Sequence, residues 1–250
     1  MSGAIYMGTS GAILQQLRLE VLANNIANVN TAGFKQDLAV FGRESSNRNA
    51  SPEGGGPASG DPGRLQPMLP FDRRVDFSQG PVETTERPLD VALNGDGFFA
   101  VQTLGGVQYT RQGSFSLNAD NQLVTADGLP VLGEAGPITI DGDAVSITVE
   151  GDILVDDEEV DRLQIVDFPK PYRLRRTAGA RFVPEGPGAV GAPPEETTVI
   201  QGAVEVSNTE AITAMTQMIE VNRLFESYQK VIQTTSEMDQ KAARELGRIE

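Results

Sequence analysis

Cysteine, histidine and tryptophan are all missing from this 250-residue chain. Without cysteine there are no disulfides, thiolate nucleophiles or thiolate metal ligands. Without histidine there is no imidazole for a Ser-His-Asp triad or a zinc site. Carboxylates, Ser, Lys and Tyr are what remain for catalysis, and a pair of carboxylates held across a cleft stays open as one enzymatic reading. The acids that the pattern singles out fall at turns, where solvated side chains keep ordinary acidity. Basic charge is also scarce. Twenty Lys and Arg against 35 Asp and Glu leave a net charge of -15, which argues against a nucleic-acid binder and against adhesion to an anionic membrane surface. No apolar run approaches the ~20 residues that span a bilayer. No basic segment precedes an apolar core and a small-residue cleavage site, the first basic residue being Arg18. The expectation is a chain that is either cytoplasmic or exported without a cleaved signal peptide, with no membrane insertion.

What is present is helical spacing at both ends. Ala211, Ala214, Met218, Val221, Phe225, Tyr228, Ile232 and Thr235 keep the alternating three-four spacing of a coiled-coil seam. Met7, Ser10, Leu14, Leu17, Val21, Asn24 and Asn28 keep the same spacing near the start. Stripes this narrow cannot form a core alone, so the two ends are expected to pack on each other or on neighbouring molecules. The first helix is read over residues 4–28, with Gly33 placed to turn left-handed beyond it. Asn24, Asn25 and Asn28 read either as a fraying end with Asx turns or as amides that fix packing register between chains. The second helix is read from a Ser207–Glu210 capping box as far as Gly247. The candidate assembly interface is therefore Leu14, Leu17, Val21, Asn24, Asn25, Asn28, Met218, Val221, Phe225, Tyr228 and Ile232.

Composition divides the chain into four segments. Residues 1–42 are helical, 43–70 form a Gly-, Pro- and Ser-rich loop, 71–198 are β-rich, and 199–250 are helical again. The loop is expected to lack regular structure and to order against a neighbour. Within the β-rich segment, period-two runs separated by Gly, Asn and Asp turns predict short antiparallel strands in a sandwich or barrel-like domain. They fall at Leu89–Leu93, Phe98–Gln102, Val107–Arg111, Ser114–Leu117, Gln122–Thr125, Pro137–Ile140, Val145–Val149, Asp152–Val155 and Arg162–Asp167. Asp156-Asp157-Glu158-Glu159 reads as an acidic hairpin tip. Residues 118–122 superficially resemble a calcium loop, but Leu123 stands where the sharp-turn glycine belongs, and a hairpin explains them better. Neither a cofactor nor a metal is expected.

Three separated motifs carry a resemblance that covers nearly the whole chain. They are Leu22-Ala23-Asn24-Asn25-Ile26-Ala27-Asn28-Val29-Asn30-Thr31-Ala32-Gly33-Phe34-Lys35, the central blocks Leu89–Phe99, Tyr109–Phe115 and Leu123–Gly128, and the tail Gly202-Ala203-Val204-Glu205-Val206-Ser207-Asn208. In that order they resemble the bacterial flagellar rod and hook proteins. Length and the opening Ile5-Tyr6 look most like the proximal-rod members, with the distal-rod members the near alternative. Asn208-Thr209 departs from the usual pattern of the C-terminal motif. The resemblance implies export through the flagellar type III apparatus. It also implies assembly with other rod proteins and copies of itself into a helical tube across the periplasm, with terminal helices inside and the β domain outside. A different class remains beside it on the residues alone: a β-domain binding module with a helical oligomerisation stalk.

Overall fold

The computed structural model describes residues 2–41, 71–142, 144–186, 189–194 and 196–246. The loop read over 43–70 lies outside the described residues. Two bodies emerge. One draws on the described residues of Met1–Ile26, Asp37–Arg74 and Ala211–Glu250, the other on those of Ala27–Gln36 and Val75–Glu210. Both are discontinuous in sequence, whereas composition reads as four consecutive segments.

The first body is helical. Helix α1 spans Ser2–Ala27 and α2 spans Ala211–Leu246. The 36 residues of α2 give it a length of about 54 Å at ~1.5 Å per residue. The two helices run antiparallel and touch through small residues. A Cβ built on Gly8 would lie 2.9 Å from Ile232 Cγ1, and one on Gly11 would lie 2.5 Å from the Tyr228 ring. Glycine therefore lets these large side chains settle directly onto the α1 backbone. Strands β1 (Asp37–Phe41) and β2 (Phe71–Val75) pair beside them. Helix α2 starts at Ala211, after Glu210 rather than before it, so the capping box does not form. Ser207 instead accepts a hydrogen bond from the Thr209 N–H at 3.1 Å, a local turn that competes with helix initiation.

The second body is all-β among its described residues, built from β3 (Val82–Thr84), β4 (Val91–Asn94), β5 (Phe98–Thr103), β6 (Gly106–Thr110), β7 (Phe115–Leu117), β8 (Leu123–Thr125), β9 (Val145–Ile147), β10 (Asp152–Val155), β11 (Glu158–Arg162), β12 (Ile165–Val166), β13 (Leu174–Arg176), β14 (Arg181–Pro184), β15 (Thr198–Gln201) and β16 (Ala203–Glu205). They form small antiparallel sheets. The largest has five strands in the order β12-β5-β6-β14-β13, and another runs β11-β10-β9. Fold class thus matches the expectation of short antiparallel strands flanked by terminal helices. Pro137–Ile140 makes only isolated bridges, at Leu132↔Pro137 and Gln122↔Thr139, because proline has no N–H to continue a ladder. The tip after β10 is Asp156-Asp157, with φ of 54° and 69°, the left-handed pair that a two-residue hairpin turn requires. Glu158 and Glu159 already belong to β11.

Strand β5 is the partition of this body. Phe98, Phe99, Ala100 and Val101 are all buried, because side chains alternate across a strand and both faces are covered. Phe99 and Val101 join Val91, Leu93, Phe115, Leu123, Ile138 and Ile153 in one core. Phe98 faces a second, aromatic core with Phe168, Leu174 and Phe182, flanked by Phe77, Tyr109 and Tyr172. Its rings meet edge to face, for instance Phe77 with Phe182 at 5.1 Å and Tyr109 with Phe168 at 4.9 Å, the geometry their quadrupoles favour.

Tyr172 carries the polar edge of that core, its hydroxyl lying 3.1 Å from both Asp96 Oδ1 and Asp167 Oδ1. Burial and those two carboxylates push its phenol well above the ordinary 10.0, and burial also raises Tyr109. The folded state thus keeps a proton that the unfolded chain loses above its ordinary value. The stabilisation is full below pH 10.0 and is lost as pH climbs toward the raised value. Chemical denaturation followed from pH 8 upward is expected to show stability falling above about pH 10, with a shallower decline in Tyr172→Phe. An identical slope in the variant would refute the role given to this hydroxyl.

Candidate functional site

The residues after α1 are built into the β body through a buried ion network. Lys35, Glu205 and Arg111 expose 0%, 1% and 4% of their surface. Glu205 Oε1 lies 2.5 Å from Lys35 Nζ, and Oε2 lies 3.2 Å from Arg111 Nη1. Further hydrogen bonds surround the pair, although Arg111 Nε is buried without a partner among the described residues. Lys35 Nζ donates to the Ser78 carbonyl at 2.8 Å, Arg111 Nη2 to the Gly95 carbonyl at 2.6 Å, and the Gly80 N–H to Glu205 Oε1 at 2.9 Å. Burial pulls the Lys35 ammonium below its ordinary value, against the Glu205 carboxylate that pulls it back up. Such a group is tolerable in a dry interior because charges and hydrogen bonds together replace lost water.

Around this network the three motifs interlock. The Gly33 N–H donates to the Glu205 backbone carbonyl at 2.7 Å. Gly33 has φ +65°, and a Cβ there would sit 2.3 Å from the Arg111 carbonyl carbon, so only glycine fits. Phe34 lies under the Arg176 guanidinium, 4.5 Å from ring centroid to carbon, and Arg176 Nη2 donates to the Lys35 carbonyl. Asn208 closes the other side. It accepts the Gln36 N–H at 2.7 Å, and its amide donates to the Asp76 and Ser78 carbonyls at 3.0 and 3.1 Å. Asp76 is raised by burial and lowered more by hydrogen bonds from Ser78 and Gln36, so it stays ionised. Sequence reasoning placed these residues in motifs without seeing their link. The signal available was a lone charge inside each small-residue motif, Lys35 after Gly33-Phe34 and Glu205 after Ala203-Val204.

The residues named from spacing as an assembly interface fall mainly on the helix pair. On α2 the spaced positions are the sheltered ones: Val221 is buried, and Met218, Phe225, Tyr228 and Ile232 are half-buried between exposed neighbours. On α1 Val21 is buried, Leu14 and Leu17 are half-buried, and Asn24 is exposed, while Met7 is 70% exposed. The α1 contact passes instead through Gly8, Gly11 and Ala12 in its first half. Asn28 follows α1 and is half-buried. Asn25 is buried and exchanges two hydrogen bonds with the Asp37 backbone, N–H to Oδ1 and Nδ2 to carbonyl, each 2.8 Å. Its amide imitates a strand partner and fixes where the chain turns back.

No group of three or more metal-binding side chains occurs among the described residues. None of their helices is long and apolar enough to cross a membrane. What the geometry provides is mechanical: a buried ion network within the β body and a long helix. Removing one member of a buried ion network leaves uncompensated charge, at a cost of roughly 3–5 kcal/mol. Glu205→Ala is expected to destabilise the β body by about that amount in chemical denaturation. A loss under about 1 kcal/mol, the range of exposed pairs, would show that the network is not desolvated in solution.

Comparison with known proteins places all three motifs. The profile described as "Flagella basal body rod protein" matches residues 5–35. That described as "Flagellar hook protein FlgE/F/G D1 domain" matches 92–155, and "Flagellar basal body rod FlgEFG protein C-terminal" matches 200–245. Among relatives, the flagellar basal-body rod protein FlgF of Caulobacter vibrioides is 33% identical over the full length of both chains. The flagellar hook-basal body complex protein FlhO of Bacillus subtilis is 31% identical, also over the full length of both. A flagellar basal-body rod protein FlgG of Buchnera aphidicola is 32% identical over 96% of this chain and 98% of its own. The chain therefore belongs to the flagellar basal-body rod protein family and is a structural subunit of the rod.

Proposed function

We propose that this chain is exported through the flagellar type III apparatus and joins the proximal part of the rod. There it packs against other rod proteins and copies of itself in a helical array. The helix pair lines the tube interior, and torque passes through contacts between subunits. The observation that carries this reading is α2. Over a length of about 54 Å, it leaves Ile212, Met215, Ile219, Leu224, Val231 and Met238 exposed. Apolar surface on that scale marks a protein-binding face. The proximal placement is supported by the full-length likeness to a FlgF. Likeness of comparable strength to a FlgG makes the distal rod the second reading.

Torque transmission needs stiffness, and two features supply it. The seam fixes α1 on α2, and the Lys35–Glu205–Arg111 network makes the β body inseparable from the segment that follows α1.

Two experiments test this. In a strain lacking the protein, electron microscopy of purified basal bodies is expected to show rings with a rod missing or truncated near the inner membrane. A rod that begins normally and stops short of the outer rings would assign the chain to the distal rod, and complete, motile basal bodies would refute the role. Phe225→Asp is expected to abolish swimming while leaving the β-body unfolding transition unchanged, since Phe225 lies on the half-buried side of α2. Wild-type motility in that variant would remove the seam from the assembly mechanism.

A further inference from the structure

The exposed apolar residues of α2 are not scattered. Ile212, Met215 and Ile219 form one row, spaced three then four residues apart, in the first half of the helix. Leu224, Val231 and Met238 form another in the second half, spaced seven and seven. At about 100° per residue the rows project roughly 100–130° to opposite sides of the sheltered seam, with centres about 24 Å apart along the axis. The seam itself is occupied within the chain by α1, through Tyr228 on Gly11 and Ile232 on Gly8. Contacts between chains must therefore use other surfaces.

The two sides differ in shape. The first row borders a groove of about 740 Å³ between the helices, walled by Leu19, Ala23, Met218 and Ile219 and rimmed by Glu20, Glu226 and Arg223. The second row is a ridge. Its neighbours one turn away include the hydroxyls of Ser227 and Thr234, so no charge falls on the row between Leu224 and Met238, and Glu220 stands one turn before it. Lys241, three residues past Met238, is exposed beyond its far end.

We propose that the Leu224–Val231–Met238 ridge of one copy seats in the Leu19–Ala23–Met218–Ile219 groove of a second copy of this chain. The inference rests on the rod reading and names the surfaces that reading leaves open. Groove-to-groove pairing about a two-fold would set two concave faces together and leave the Leu224–Val231–Met238 ridge of each copy in water. Ridge-to-groove pairing buries the apolar surface of both, and the exposed Lys241 suits a rim that carries two acids and one base. Because ridge and groove lie on different sides and at different heights of one helix, joining them is heterologous. Each added copy presents the same free ridge again, so the contact propagates as an open array and does not close into a dimer.

The absence of cysteine makes the test direct. Ala23 and Val231 are both exposed, so Cys at either position leaves the fold intact. Within one chain the pair cannot join. Ala23 shares its groove with Met218 and Asn222, and Val231 lies about 13–20 Å further along α2, beyond the ~7 Å that a disulfide spans between Cα atoms.

The double variant Ala23→Cys/Val231→Cys replaces the native chain in motile cells. The cells are oxidised, basal bodies isolated, and products resolved without reductant. A ladder of dimers, trimers and larger species is expected from the double variant and none from either single variant. A dimer from either single variant would show closed two-fold packing and overturn the proposal. So would a product with a different protein, which would give the groove another occupant. Basal bodies that contain the chain without any ladder refute ridge-in-groove packing alone. Basal bodies that lack the chain refute the rod placement, and this inference with it.

Discussion

The buried carboxylate of Glu205 is the point on which the β body depends. It lies in the last strand before α2, yet its two oxygens are held by a lysine from the segment after α1, an arginine from the centre of the chain and a backbone amide from residue 80. Any one of these contacts on a surface would contribute little. Together, in a site from which water is excluded, they are an all-or-none assembly, because loss of any partner strands charge in a low-dielectric interior. Residues separated by 170 positions, Lys35 and Glu205, are thereby fixed within 2.5 Å. Segments next to both helices are held in one body before any neighbouring subunit is met.

The helix pair follows a different logic. It is assembled by shape, with glycines on α1 receiving Tyr228 and Ile232 from α2. That arrangement uses up one face of α2 and leaves two rows of large apolar side chains in solvent. A protein meant to remain single would hide them. A subunit of a helical structure needs unlike surfaces on opposite flanks, and α2 provides them with a single helix.

Much of this was legible from residue order. The three-four spacing of Met218 to Ile232 located the sheltered side of α2, because helical periodicity converts directly into a face. Alternation and turn residues located β5, β6, β7, β8 and β10 closely. Strands near 174, 182, 199 and 204 were not legible, since they are three or four residues long and, apart from the pairing of 174 with 184, bond to partners far away in sequence, as when Thr198–Gln201 pairs with Val91–Asn94. On α1 the spaced positions divide: Val21 is buried and Leu14 and Leu17 are half-buried, whereas Met7 is exposed and Gly8, Gly11 and Ala12 set the contact at that end. Small residues carry no hydrophobic signal, and their effect comes from the backbone approach they permit.

By itself the sequence determined the absent chemistries, the two helical ends, the β-rich middle and the family, all of which depend on composition, local periodicity and ordered motifs. Tertiary structure alone decided that Lys35, Arg111 and Glu205 meet, that Asn25 binds the Asp37 backbone, and which rows of α2 remain uncovered. These are long-range pairings. Their energy comes from desolvation and close fit between segments far apart in the chain, and neither quantity exists until the chain has folded.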